Sequence, residues 1–218
     1  MRGAPDLAKD VQAYPTLIGP GAAIVRINRA LLAAIAKRSA DIKDCRAQSP
    51  EYAYWDSDVD APLLGERYVS FLAHGNYSCG NNVNIVMEAM TFDLRTGERV
   101  NWKALLPASL QGPSAASLEP GEIASPELSA FFVKQSQASN PDPDCKDAFA
   151  EREMTFQLWP DAAAKGLAME ADNLRSTSIG ACGGDVTMPL EMLRKIGADP
   201  ALIRDIETGR SWVNRTKR

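Results

Sequence analysis

Apolar residues recur at helical spacing over one long stretch near the start of the chain. Ile24, Ile27, Leu31, Ile35 and Ile42 fall near one face of a helix over about residues 22–43. Arg26, Arg29, Lys37 and Arg38 mark its polar side. Before it, "VQAYPTLI" (11–18) reads as a short edge strand or extended entry, because Pro15 cannot sit in a central strand. Gly19, Pro20 and Gly21 then break the chain. After the helix the period changes from that of a helix to that of a strand. "RYVSFLAHGNYS" alternates Val69, Phe71 and Ala73 against Tyr68, Ser70 and Leu72, and "NVNIVMEAMTFDL" follows as a second strand. The two form an antiparallel hairpin across Cys79–Asn82, and Thr96-Gly97 supplies the next tight turn. "EYAYWDSDVDAP" between helix and hairpin reads as a polar, turn-rich connection.

The second half carries weaker periods. Residues 107–126 are rich in Pro, Gly, Ser and Ala and read as a long loop. "ELSAFFVKQSQ" (127–137) reads as a helix, "MTFQLWPDAAAKGLAMEA" as strand, turn and strand. "STSIGACGGDVTMPLEMLRKIG" reads as a loop, a strand and a helix entered after Pro189. One long N-terminal helix on an antiparallel, meandering sheet, with short C-terminal helices, is an α+β fold.

Composition narrows the partners more than the chemistry. The chain has 218 residues, a formal net charge of −4 and 45% hydrophobic residues, as expected of a globular protein with a sizeable core. Its acidic balance argues against nucleic acid, whose phosphates want a basic surface, and allows a basic protein partner. No apolar run approaches the ~18 residues a membrane span needs. "MRGAPDLAKD" lacks the apolar core of a signal peptide, so the chain reads either as cytosolic or as the mature part of an exported precursor.

The cysteines favour export. Cys45, Cys79, Cys145 and Cys182 can pair in three ways. Cys45–Cys79 with Cys145–Cys182 gives two local, non-overlapping loops of a few tens of residues, each worth roughly 3–4 kcal/mol. Cys79 at a hairpin tip would then tie the sheet to the end of the long helix. Disulfides place the protein in an oxidising compartment, periplasmic or secreted. With one histidine and no C-x-x-C pair, no structural zinc site is expected.

Catalytic signatures are missing. The sequence holds no G-x-S-x-G, S-x-x-K, H-E-x-x-H or phosphate-binding loop. His74, in "FLAHGNY", reads as a strand histidine. Asp56, Asp58 and Asp60 imitate the start of a calcium loop, but Ala61 and Arg67 stand where that loop needs Gly and Glu. Glu88, Asp93 and Glu98 are the carboxylates near the ordered hairpin, and no pairing makes one a general acid. Trp55, Trp102, Trp159 and Trp212 share no period and read as core or edge aromatics. The expectation is a non-enzyme without cofactor or metal. Its candidate partner-binding residues are Asn76, Tyr77, Ser78, Gly80, Asn81 and Asn82 at the hairpin tip, with Asp142 and Asp144 in the acidic turn "NPDPDC".

Four segments, in order, resemble a known domain. "TFDLRTGERVNWKALL" resembles the F-D-x-x-T-G step of the extracytoplasmic domain in RsiV-type lysozyme-sensing anti-sigma factors. The same domain occurs in the non-catalytic part of PdaC-type peptidoglycan deacetylases. "YPTLIG…AAIVRINRALLAAI" is similar to the helical segment before that step. "FQLWPDAAAKGLAMEA" and "VTMPLEML" are similar to the last hairpin and the helix entry. The resemblance spans about residues 11–196. It implies an N-terminal helix-plus-strand subdomain (11–84) and an RsiV-like C-terminal subdomain (85–200), packed as one unit, with 201–218 as a tail. It departs at Cys79-Gly80-Asn81-Asn82-Val83, where the family has a Gly-Gly-Ala-His-Pro-like turn. The implied role is a non-catalytic periplasmic module that recognises and inhibits a cell-wall hydrolase or toxin. The alternative is a module that binds peptidoglycan or another wall glycan directly.

Overall fold

A computed structural model of the chain describes residues 1–80, 82–112, 121–140, 142, 145, 149, 154–172, 182 and 184–213. The fold is α+β, with two four-stranded antiparallel sheets among the described residues. The long helix α1 spans Ala22–Gln48, five residues beyond the expected end, and starts at the Pro20-Gly21 break without a side-chain cap. Ile27, Leu31, Ile42 and Cys45 form its buried stripe. Arg38, expected on the solvated side, is buried in that stripe as well.

Three long strands follow: β1 (Ala53–Leu64), β2 (Tyr68–Cys79) and β3 (Val83–Asp93). The hairpin β2–β3 forms in the expected place, with Ser78 opposite Val83 and Tyr68 opposite Asp93. Strand β1 corrects the turn-rich reading of residues 51–62. Ser57, Val59 and Ala61 face inward in alternation with Tyr54, Asp56, Asp58 and Asp60, so the segment has a strand's period of two despite its aspartates. Its register with β2 slips between Asp60 and Leu63, where Pro62 is tolerated as at a bulge. The entry segment is extended, and Val11 bridges Ser57 of β1 in parallel.

The turn after β3 has Gly97 at φ 75°, as the Thr96-Gly97 pair requires. A side chain there would also strike the backbone of Ala23, so the same glycine lets the start of α1 approach. A short helix α2 (Trp102–Leu105) follows, then β4 (Glu122–Ala124), a strand inside the stretch expected to be a loop. Helix α3 (Pro126–Ser139) is capped by the Ser125 hydroxyl, which accepts from the Leu128 amide. Strands β5 (Thr155–Asp161), β6 (Gly166–Ala171) and β7 (Val186–Pro189) complete the second sheet in the order β4-β5-β6-β7. Helices α4 (Leu190–Ile196) and α5 (Pro200–Thr208) lead to β8 (Arg210–Trp212), which closes the first sheet in the order β3-β2-β1-β8.

The largest core lies on the second sheet. Phe132, Phe149 and Phe156 pack ring against ring there, with Leu158, Met169 and Met188 around them. A separate cluster under α1 joins Ile27 and Leu31 to Val59, Phe71 and Phe92 of the first sheet. The sheets meet through a small apolar cluster of Ala89 with Trp159 and Ala168, and through polar contacts of backbone and side chain. Ser70 donates to the Pro160 carbonyl at 3.0 Å, and the Ala162 amide to the Pro62 carbonyl at 3.0 Å. Buried Asp205 of α5 accepts from the Arg67 and Tyr68 amides at 2.8 and 2.7 Å, pinning the C-terminal helix to the β1–β2 turn.

Both expected disulfides are present. Cys45 bonds Cys79, and Cys145 bonds Cys182. No helix among the described residues is long and apolar enough to cross a membrane.

Candidate functional site

The distal end of the first sheet is where β1 begins, β2 ends and β3 begins. The Cys45–Cys79 bond staples it to the last turn of α1, and Ser49 adds a hydrogen bond to the Cys79 carbonyl at 3.1 Å. The two faces of this end differ because directly opposed residues share a face. On the face away from α1, Tyr54, Ser78 and Val83 stand in one row across β1, β2 and β3. Tyr54 and Val83 are 51% and 61% exposed, and Tyr52 before the strand is 61% exposed. Asp56 and Asp58 border this row. The Tyr54 hydroxyl and the Asn76 amide both donate to the Asp56 carboxylate, the latter at 2.8 Å.

On the other face, Trp55 and Tyr77 stack with centroids 4.6 Å apart. They stand at one side of a cleft of about 660 Å³ between α1, strand β3 and the second sheet. Lys37, Arg38 and Asp41 come from α1, Glu88 and Ala89 from β3, and Gln157 from β5. Strand β3 is an edge strand, and side chains satisfy part of its outer edge. Gln157 accepts from the Ala89 amide at 2.7 Å, and Arg99 donates to the Ala89 carbonyl at 2.8 Å.

At the base of the cleft lies a partly buried charge network. Arg38 donates through Nη2 to Glu88 at 2.9 Å, and the Tyr14 hydroxyl donates to the same carboxylate oxygen at 2.9 Å. The guanidinium also sits over the Tyr14 ring at 5.2 Å. Burial, followed by the charge of Glu88, pushes the Tyr14 phenol well above its usual range. The Arg38 side chain is only 6% exposed, and its Nη1 has no acceptor. The Trp55 indole N–H is likewise buried without one. An unmet buried donor costs about 1–3 kcal/mol, more when charged.

A second polar group lines the seam between the sheets. His74 of β2 meets Asp60 of β1 at 3.1 Å, and this hydrogen bond raises the imidazole pKa against the opposing effect of burial. Glu170 of β6, opposite Gln157, is pushed to about 7 by burial and by the charges of Asp185 and Asp172. Asp56, Asp58 and Asp60 lie on a strand, not in a calcium loop, and no group of three or more candidate ligands forms a metal site among the described residues.

The expected partner-binding residues divide between places. Asn76, Tyr77, Ser78, Gly80 and Asn82 gather at the stapled tip, but Tyr77 turns to the cleft face while Asn76 and Ser78 turn to the other. Gly80, at φ 146°, takes the carbonyl side of a bond from the Ser78 hydroxyl at 2.7 Å. Asn81 and Asp144 lie outside the described residues. Asp142 sits beside the other disulfide, at Asn140 and Cys145 beyond α3. Sequence reasoning missed Arg38, Trp55, Arg99 and Gln157 as neighbours of one cleft. The alternation of Trp55 with Ser57 and Val59 was a local signal for one of them.

No protein-family model matches the chain, and no curated protein matches it in sequence. In structure the chain is similar to a member of the DUF3298 family from Bacteroides fragilis, known from a crystal structure. The identity is 12% and the TM-score 0.46, over 87% of this chain and 75% of that one.

Proposed function

We propose that the protein is a non-catalytic binding protein of the bacterial envelope that recognises, and inhibits, a peptidoglycan-degrading enzyme. The observation that carries this reading is the stapled sheet end. Its exposed Tyr54 and Val83, in one row with Ser78, offer apolar anchors on a backbone held by a disulfide. Rigid aromatic anchors of this type contribute most to protein–protein affinity, because little freedom is lost on binding. Asp56 and Asp58 beside them, with the net charge of −4, suit a basic partner. The disulfides fit an oxidising compartment, where cell-wall hydrolases act. The sequence resemblance to the lysozyme-sensing domain supports the same partner class.

The test is calorimetric titration of the protein against a panel of lysozyme-like and amidase-like enzymes, with cell-wall lysis measured in parallel. Binding to at least one enzyme is expected, with loss of that enzyme's activity. Tyr54→Ala should weaken it about 30-fold, the effect of an anchor worth ~2 kcal/mol. Binding to none of the panel sinks the proposal.

A further inference from the structure

Strand β3 is covered along only part of its outer edge. In an antiparallel pair, successive residues turn their N–H and C=O groups alternately toward the partner strand and away from it. The bonds of Ala89 with Gln157 and Arg99 fix the phase, so Val83, Ile85, Met87, Ala89 and Thr91 turn their backbone groups away from β2. Toward Asp93 this edge is occupied. Val100 donates to the Thr91 carbonyl at 2.9 Å, the Asp93 amide to the Glu98 carbonyl at 3.0 Å, and Gln157 through Nε2 to the Met87 carbonyl at 3.4 Å. Toward the stapled end, among the described residues, nothing bonds the N–H and C=O of Val83 and Ile85 or the N–H of Met87. The opposite side of the sheet is treated differently at the same height. There the entry segment lies along β1, with Gln12 donating to the Ser57 carbonyl and Ser57 to the Asp10 carbonyl at 2.8 and 2.9 Å.

Edge strands left uncovered usually carry a charge, a proline or a bulge that blocks further pairing. Residues 83–87, Val-Asn-Ile-Val-Met, carry neither charge nor proline, and the register with β2 runs without a shift from Ser78–Val83 to Tyr68–Asp93. Their β-branched side chains favour extended structure. The open stretch borders the cleft described above. Ile85 and Met87 line it, with Lys37 and Asp41 of α1 on one side and Gly121 and Gln157 on the other. Both apolar side chains also lean on the apolar clusters at the second sheet. A slot walled on both sides admits one extended chain, but not the edge of a second folded copy with its own helix and sheet attached. N–H and C=O groups at a strand's repeat are what an extended backbone pairs with.

We propose that the Val83–Met87 edge takes an extended, uncharged segment of a partner polypeptide as an added strand. Main-chain hydrogen bonds to Val83, Ile85 and Met87 hold the segment, and its alternate apolar side chains pack on Ile85 and Met87. A charge at those positions would lose its water without gaining a partner. The inference does not rest on the hydrolase reading, and the added strand does not touch Tyr54, two strands away.

The experiment selects binders from a phage-displayed library of random linear peptides and titrates the synthetic winners against the whole protein, with amide exchange read at each residue. Peptides with apolar residues at alternate positions and no internal proline should be enriched. Their binding should slow exchange at Ile85 and Met87 about tenfold or more, and leave Asn84 and Val86, already paired with β2, unchanged. Ile85→Pro removes an N–H that the β2–β3 ladder does not use and should weaken binding about tenfold. N-methylation of the peptide amides in one alternation, but not the other, should weaken it as much, which tests the same bonds without altering the protein. Tyr54→Ala should bind peptide like wild type, which separates this site from the hydrolase surface. The assignment is overturned by a library without winners, by binding that leaves exchange at Ile85 and Met87 unchanged, or by peptides indifferent to N-methylation in both alternations. Amides at Ile85 and Met87 that are already protected in the free protein would also overturn it, because the chain itself or a second copy would then cover this edge.

Discussion

The two sheets solve different problems with the same strand chemistry. In the second sheet the strands run three to seven residues, and the Phe132–Phe149–Phe156 cluster and its methionines bury nearly every inward position. In the first sheet β1, β2 and β3 run eleven or twelve residues. Only their proximal halves, around Val59, Phe71 and Phe92, are backed by the α1 core. Their distal halves carry Tyr54, Trp55, Asn76, Tyr77 and Val83, and the core there gives way to a disulfide and a ring stack. Hydrophobic burial holds one sheet; a crosslink holds the distal end of the other. In the proposed role that end stays exposed for a partner and cannot also be buried for stability, so a staple stands where a core cannot.

The largest effect should come from the region held by burial. Phe156→Ala removes a fully buried ring from the aromatic cluster and should cost about 3–5 kcal/mol in urea unfolding, with one cooperative transition for the whole molecule. A loss under 1 kcal/mol would mean that the second sheet is not the stability centre. Replacing Cys45 and Cys79 together by Ala opens a loop with a sequence separation of 34 and should cost roughly 3–4 kcal/mol. The distribution of that loss sharpens the comparison. Amide exchange should accelerate around Ala53–Asp56, Asn76–Cys79 and Val83–Ile85 while β5 and β6 stay protected. Uniform acceleration in both sheets would remove the distinction between stapled and buried regions.

Much of this division could be read from the chain itself. Alternation in β2 and β3, the Thr96-Gly97 turn and the two cysteine pairings are local signals, and each structure formed where it was expected. Strand β1 was misread because three aspartates at alternate positions suggest a solvated turn. The residues between them, Trp55, Ser57 and Val59, carried the period. The cleft was illegible for a different reason. Arg38 sits on a helix whose sequence marks it as polar surface, but its partner Glu88 is 50 residues away and Tyr14 is 24. Nothing within a helical turn of Arg38 announces that a carboxylate will arrive from an edge strand. Gln157, 68 residues from the Ala89 amide that donates to it, is equally invisible to spacing.

The smallest expected effect concerns the seam where the sheets meet. Glu170 of the second sheet has a folded pKa of about 7, raised by burial and by Asp185 and Asp172 and opposed by His74. His74 of the first sheet is raised chiefly by its hydrogen bond to Asp60. Both groups hold a proton in the folded state that the unfolded chain releases at lower pH. Stability is therefore greater on the acid side and is lost as pH rises, for Glu170 between its ordinary carboxylate range and about 7, and for His74 from about 6.5 upward. The protein should unfold at a lower urea concentration at pH 8 than at pH 5. Glu170→Gln keeps the shape and removes the charge, so it should recover about 1–2 kcal/mol at pH 8, a figure reduced from the full shift because the side chain is partly solvated, and little at pH 5. Equal wild-type stability at the two pH values, or a variant weaker than wild type at pH 8, would mean that the seam tolerates its charges. The acidic strip between the sheets would then be ordinary surface, and the contrast between them would rest on the core and the staple alone.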